Sequence, residues 1–127
     1  WLFFTSNALH QAALAMFYPH RPAGEANTDA ARTAAQEQIT ARLGLIEAML
    51  ATQTPRWLSP DHPGVLGYYI GILVRWLILL PPAPYGIVLA DFPYLKAVLA
   101  AHEARPAALR VAASDGLGPT PFTNPGS

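Results

Sequence analysis

The sequence predicts an all-helical fold, and three observations lead there. Thirteen prolines punctuate the chain, yet none falls in residues 23–54 or 64–80. Proline removes a backbone donor and clashes with the turn before it, so these gaps are where long helices can run. In the first gap Ile39, Leu43, Ile46 and Leu50 are spaced 4, 3 and 4, a helical and not a strand period. No segment shows the sustained alternation of a half-buried strand. The expected architecture is a bundle of five helices around a buried central one.

The first helix covers residues 1–18, is rich in Ala, Leu and Phe, and stops before Pro19. A loop over residues 20–26 leads to Asn27 or Thr28, either of which suits a helix cap, with Asp29 favourable in the first turn. This second helix ends before Pro55. The third, residues 63–80, is apolar all round and reads as a helix buried on every side, closed by Pro81-Pro82. A fourth spans residues 92–104, with Asp91 as its expected cap. The fifth opens on Pro106, well placed at a first helical position, and runs to Ser114. Gly116 then supplies a left-handed residue to end it. Residues 1–118 make the domain and residues 119–127 a Pro/Gly-rich tail. That tail is either an extended strap with Phe122 tucked against the bundle or disordered.

The chain is of one-domain length, and its 52% hydrophobic content supports a core. Only 13% of residues are charged, about half the usual share of roughly 25%. Either a second domain or subunit covers part of the surface, or some surface helices are apolar on both faces. Eight basic and eight acidic residues cancel, and the basic ones are scattered with a single Lys, Lys96, which argues against nucleic acid. With no cysteine there is no disulfide, thiolate metal site or thiol nucleophile, and a reducing cytoplasm is the expected setting. Residues 64–80 are interrupted by Arg75 and fall short of the roughly 20 apolar residues of a membrane span. The opening Trp1-Leu2-Phe3-Phe4, without an initiator Met or basic leader, reads as a fragment or processed form.

Catalytic machinery is hard to find. His10, His20, His62 and His102 lie on separate segments without a metal-binding spacing, so no metal site is expected. His102-Glu103 reads as a solvated pair on an exposed helix end. Thr5, Ser59 and Ser114 lack a His-Asp context for activation. Gly116-Leu117-Gly118-Pro119 follows a helix and does not open one, so it is no phosphate loop.

Three patches, in order, carry a family resemblance. The first is Trp1-Leu2, then Leu9-His10, then Phe17-Tyr18-Pro19. The second is Tyr68-Tyr69 followed by Arg75-Trp76. The third is Phe92-Pro93-Tyr94-Leu95, Ala104-Arg105-Pro106-Ala107 and Asp115-Gly116-Leu117. Together they resemble the helical C-terminal domain of glutathione transferases, the bacterial members above all, across residues 1–117. The resemblance implies a helical bundle, a preceding thioredoxin-like domain absent from this chain, and glutathione as co-substrate bound mainly by that domain. It also implies a homodimer or a complex subunit. In such a parent this half lines the pocket of an apolar electrophile that the glutathione thiolate attacks; no catalytic residue and no cofactor belong to this chain alone.

By resemblance His10 lies on the helix facing the glutathione site, where some members have His-Lys; here Gln11 replaces the Lys. His10 is either a helix-face histidine bonded to a neighbour or part of the pocket lining. Asn7, Gln11 and Leu14, at i−3, i+1 and i+4 from His10, join Trp76 as candidate substrate-binding residues, with Trp76 as plain core the competing reading. Tyr68 and Tyr69 diverge by about 100° on a helix, so the two cannot share one pocket. The family's Ser/Thr-x-x-Asp capping box is replaced by Gly64 and Gly67, which leaves Asp61 or Ser59 as substitute caps and Pro63 in the first turn. The lost box, the missing Lys and the sparse charge support a second reading, a catalytically inactive helical module for protein–protein assembly. Domains of this kind serve as docking units in some translation-factor and tRNA-synthetase assemblies.

Overall fold

Residues 2–17 form the first rod, α1, which changes pitch along its length. Leu2–Phe4 is α-helical, Thr5–Leu9 is a π-helix, and His10–Phe17 is α-helical again. The computed structural model describes residues 1–126. The π segment begins where the buried Thr5 donates its hydroxyl to the carbonyl of Trp1 at 2.9 Å. A wider turn of this kind shifts the phase of every residue that follows.

After Pro19 the chain makes one turn of helix, α2 (His20–Ala23), where an open loop was expected. A 3₁₀ turn, Glu25–Asn27, then leads into α3 (Thr28–Thr52). Asn27 stands at the cap position, but its amide turns back to donate to the Ala23 carbonyl at 3.0 Å and does not cap the helix. The predicted stripe of α3 points inward throughout: Ile39, Leu43 and Ile46 are fully buried and Leu50 nearly so. Truncating one such leucine to Ala typically removes about 2–5 kcal/mol.

α4 (Val65–Leu79) starts at Gly64 with no side-chain cap. Neither proposed substitute serves it: Ser59 Oγ accepts from the His62 amide, and the Asp61 carbonyl accepts from Arg105. Pro63 precedes the helix and is not in its first turn. Nor is α4 buried on every side. Ile70, Leu73, Val74 and Leu77 enter the core, while Val65 is 85% exposed and Trp76 and Leu79 face outward. A domain this small has too few elements to cover a helix all round. The apolar outer face of α4 is one source of the chain's sparse surface charge.

α5 (Pro93–Glu103) and α6 (Pro106–Ser114) close the bundle. α1 and α5 pack on α3, and α4 packs on α5 and the C-terminal part of α1. Asp91 does not cap α5, because it belongs to a preceding 3₁₀ turn, Leu89–Asp91. Glu47 reaches across from α3 instead, accepting the Tyr94 and Leu95 amides at 2.8 and 2.9 Å. α6 ends as predicted. Gly116 adopts φ +66°, and the Leu117 amide donates to the Ala112 carbonyl at 2.8 Å, closing a Schellman turn.

The tail straps onto the bundle with Phe122 tucked in, but it is not extended: residues 121–123 turn, and the Asn124 amide donates to the Thr120 carbonyl at 3.2 Å. Arg75 Nη1 donates to the Leu117 and Pro121 carbonyls at 3.3 and 3.1 Å. The Glu103 carboxylate accepts the Phe122 and Thr123 amides at 2.8 and 3.0 Å, and also the Thr123 hydroxyl. Phe122 is only 5% exposed and lies in a notch over Gly71. Ser127, the last residue of the expected tail, lies outside the described residues. Among the described residues there is no named strand, only an isolated bridge between Ser59 and His62.

Candidate functional site

The most organised half-exposed surface forms where α1 crosses α4. His10 and Phe17 are seven residues apart on α1, and Tyr69 and Trp76 seven apart on α4. Seven residues is close to two helical turns, so each pair shares a face. The two faces meet. His10 Nδ1 lies 2.6 Å from Tyr69 Oη, in a hydrogen bond whose direction follows the imidazole tautomer. The imidazole is 6.1 Å from the Trp76 ring, and Phe17 meets the same indole at 6.4 Å, both edge to face. Trp76 is 36% exposed, which makes it a wall of this surface and not plain core.

The five predicted residues are only partly brought together. His10 and Trp76 meet through Tyr69. Gln11 and Leu14 instead line a shallow depression of about 360 Å³ with Tyr18 and Arg21. There the Arg21 guanidinium stacks 4.1 Å above the Tyr18 ring. Asn7 is exposed, accepts from the neighbouring Ser6 hydroxyl at 3.0 Å, and joins neither group. The reason is the π segment, since the i−3 relation of Asn7 to His10 assumed an unbroken 3.6-residue turn. Tyr69 and Phe17 complete the frame without being among the five residues the sequence points to. Their shared seven-residue offset from Trp76 and His10 was the available signal.

Tyr68 goes the other way, as its 100° divergence from Tyr69 requires. Its ring lies 5.8 Å from His102 and 6.2 Å from Phe122. Here a sequence expectation fails outright, because His102 and Glu103 are buried, at 0% and 4% exposure. His102 Nε2 donates to the Ser59 carbonyl at 2.8 Å, while Nδ1 is buried without a partner. Burial holds this imidazole below its ordinary pKa; the bond to Ser59 opposes that shift and nearby Arg105 adds to it. The imidazole fits because residue 67 is glycine, whose bare Cα leaves the space it occupies. Glu103 is occupied with the strap, as described above.

An apolar groove of about 310 Å³ lies between α4, α6 and the strap, walled by Tyr68, Ile72, Val111, Leu117 and Phe122. Among the described residues, no three His, Asp or Glu side chains gather where they could hold a metal ion, and no helix is long and apolar enough to cross a membrane. The His10 surface offers a hydrogen-bonded imidazole–phenol pair inside an aromatic frame. That suits packing against a flat apolar group with one directed polar contact. No family model, no curated protein and no solved structure matches the chain.

Proposed function

We propose that this chain is the helical half of a glutathione transferase-like protein, supplying the wall against which an apolar electrophile binds and part of a dimer surface. The observation that carries this reading is the His10–Tyr69–Trp76 frame, half exposed and held by a 2.6 Å hydrogen bond. A histidine at this place is also what the family resemblance implies for the face turned toward glutathione. In the proposed reaction the glutathione thiolate attacks the electrophilic carbon and the leaving group departs. The group that lowers the thiol pKa belongs to a thioredoxin-like domain outside this chain. What this half contributes is orientation: Trp76 and Phe17 frame the apolar body, and Tyr69 holds the imidazole in place. A cytoplasmic setting, where glutathione is abundant, goes with this reading.

The test is carried out on the full product of the native gene, including any residues encoded ahead of Trp1. Retention on immobilised glutathione and turnover of an aromatic chloride are expected, with turnover lowered by Trp76→Ala. This chain by itself is expected to give no turnover above background. A full product that neither binds the column nor turns over the chloride would contradict the reading.

A second reading, an inactive module for protein assembly, draws on a different observation. Large apolar side chains stand far out of the bundle, Phe3 at 79% and Val65 at 85% exposure. Among the described residues the one ion pair is local, Arg32 to Asp29 at 3.6 Å. A surface of that composition suits coverage by another chain. Under this reading the full product ignores the glutathione column and co-purifies with a stable stoichiometric partner.

A further inference from the structure

We infer that the C-terminal strap is a pH-sensitive latch, closed while His102 is neutral and opened when His102 takes a second proton. The inference does not depend on the proposed function, because it concerns the opposite face of α4.

The imidazole has two nitrogens in unequal positions. A carbonyl can only accept, so the 2.8 Å contact with Ser59 assigns the existing proton to Nε2. Nδ1 is therefore bare, and it is fully buried with no partner. A second proton would create a charged N–H in a site that offers it no acceptor. The groups packed around it confirm the shortage. α4 presents the backbone of Gly67 and the ring of Tyr68. The 59–62 turn presents the Ser59 carbonyl, already used, with the Asp61 carbonyl engaged by Arg105 and His62 Nδ1 directed to the Ser59 hydroxyl at 3.4 Å. Arg105, just beyond α5, adds a like charge. The strap brings Phe122 up to Tyr68 and no ionisable group. Glu103 is the one carboxylate at this end of α5, and its two oxygens already take three donors from the strap.

A protonated His102 thus has two ways to find relief. It can draw Glu103 away from the strap, or it can swing out and displace Tyr68. Both end in the same place, because Glu103 holds the Phe122 amide and Tyr68 walls the Phe122 ring. Releasing Phe122 vacates its notch over Gly71 and joins that notch to the groove walled by Ile72, Val111 and Leu117. A larger apolar surface would then be available in mild acid than at neutral pH.

The experiment follows amide exchange and the His102 ring carbon by NMR on the purified chain between pH 8 and 5. After correction for intrinsic exchange rates, protection of the Phe122 and Thr123 amides should fall by up to about tenfold per pH unit as pH drops below the ordinary histidine value of about 6.5, until the strap is open. Leu43 and Ile46 in α3, which exchange through global unfolding, should remain protected at pH values where the strap is already open, and the His102 signal should titrate with the same midpoint as the strap. His102→Gln retains a donor for Ser59 but cannot take the second proton, so its strap protection should be flat over this range. An unchanged transition in His102→Gln would overturn the latch, as would His102 titrating while the strap stays protected. Should His102→Gln fail to fold, coincidence or separation of the two wild-type midpoints decides the matter.

Discussion

A Cβ added at Gly67 would sit 2.5 Å from Cε1 and 2.8 Å from Nδ1 of His102, whereas one added at Gly44 would meet nothing within 4 Å. Both glycines are inside helices, where Ala is favoured over Gly by about 1 kcal/mol. At Gly44 that preference is unopposed, so Gly44→Ala should raise stability by about 0.5–1 kcal/mol. At Gly67 overpacking against a buried ring outweighs it, and Gly67→Ala should lower stability by about 1–3 kcal/mol. Urea midpoints of the two variants, measured side by side, check both signs. The sequence shows Gly67 only as a missing cap and His102 as a surface residue. A histidine near the end of a helix goes inward only if a distant position leaves room for its ring, and single-chain periodicity carries no such information. Glu103 misleads for a related reason, since two of its three donors are backbone amides of the tail, which leave no residue signature. Tyr69 and Trp76 were closer to legible, because their spacing places them on one face whatever packs against it.

At the scale of elements, α3 and α6 match the proline map and the apolar period closely. Where the map fails, a local hydrogen bond competes with the regular pattern. Asn27 bonds backward to the Ala23 carbonyl and leaves the start of α3 without a side-chain cap. The start of α5 shows a cap supplied from outside the segment. Two amides donate to the Glu47 carboxylate, which also places negative charge at a helix N-terminus. Glu47→Ala should lower stability by about 1–2 kcal/mol and speed exchange of the Tyr94 and Leu95 amides, with α3 itself little changed. Equal loss of protection throughout α3 would show that Glu47 holds more than this cap. α4 is the element whose environment was hardest to anticipate. An apolar helix can be central or can lie at the edge of a larger assembly, and both give the same sequence.

For the whole molecule, the buried His102 links stability to pH. Its folded pKa is held below the unfolded value of about 6.5 by burial, so below that pH the unfolded chain binds more protons. The associated stability is fully present above about pH 6.5 and is lost as pH falls through 6.5 toward the folded value. The urea midpoint should therefore drop between pH 7.5 and 5.5, and the drop should be shallower in His102→Gln. The opposite face of α4 carries the functional proposal, with aromatic rings framing one imidazole–phenol pair. Its most direct test is an NMR titration of the labelled chain with a dinitrophenyl conjugate of glutathione, the product form of the proposed reaction. Signals of His10, Tyr69 and the Trp76 indole should shift together and saturably. Shifts confined to the Tyr68–Val111–Leu117 groove, or no saturable shift at millimolar conjugate, would contradict the assignment of this face to substrate.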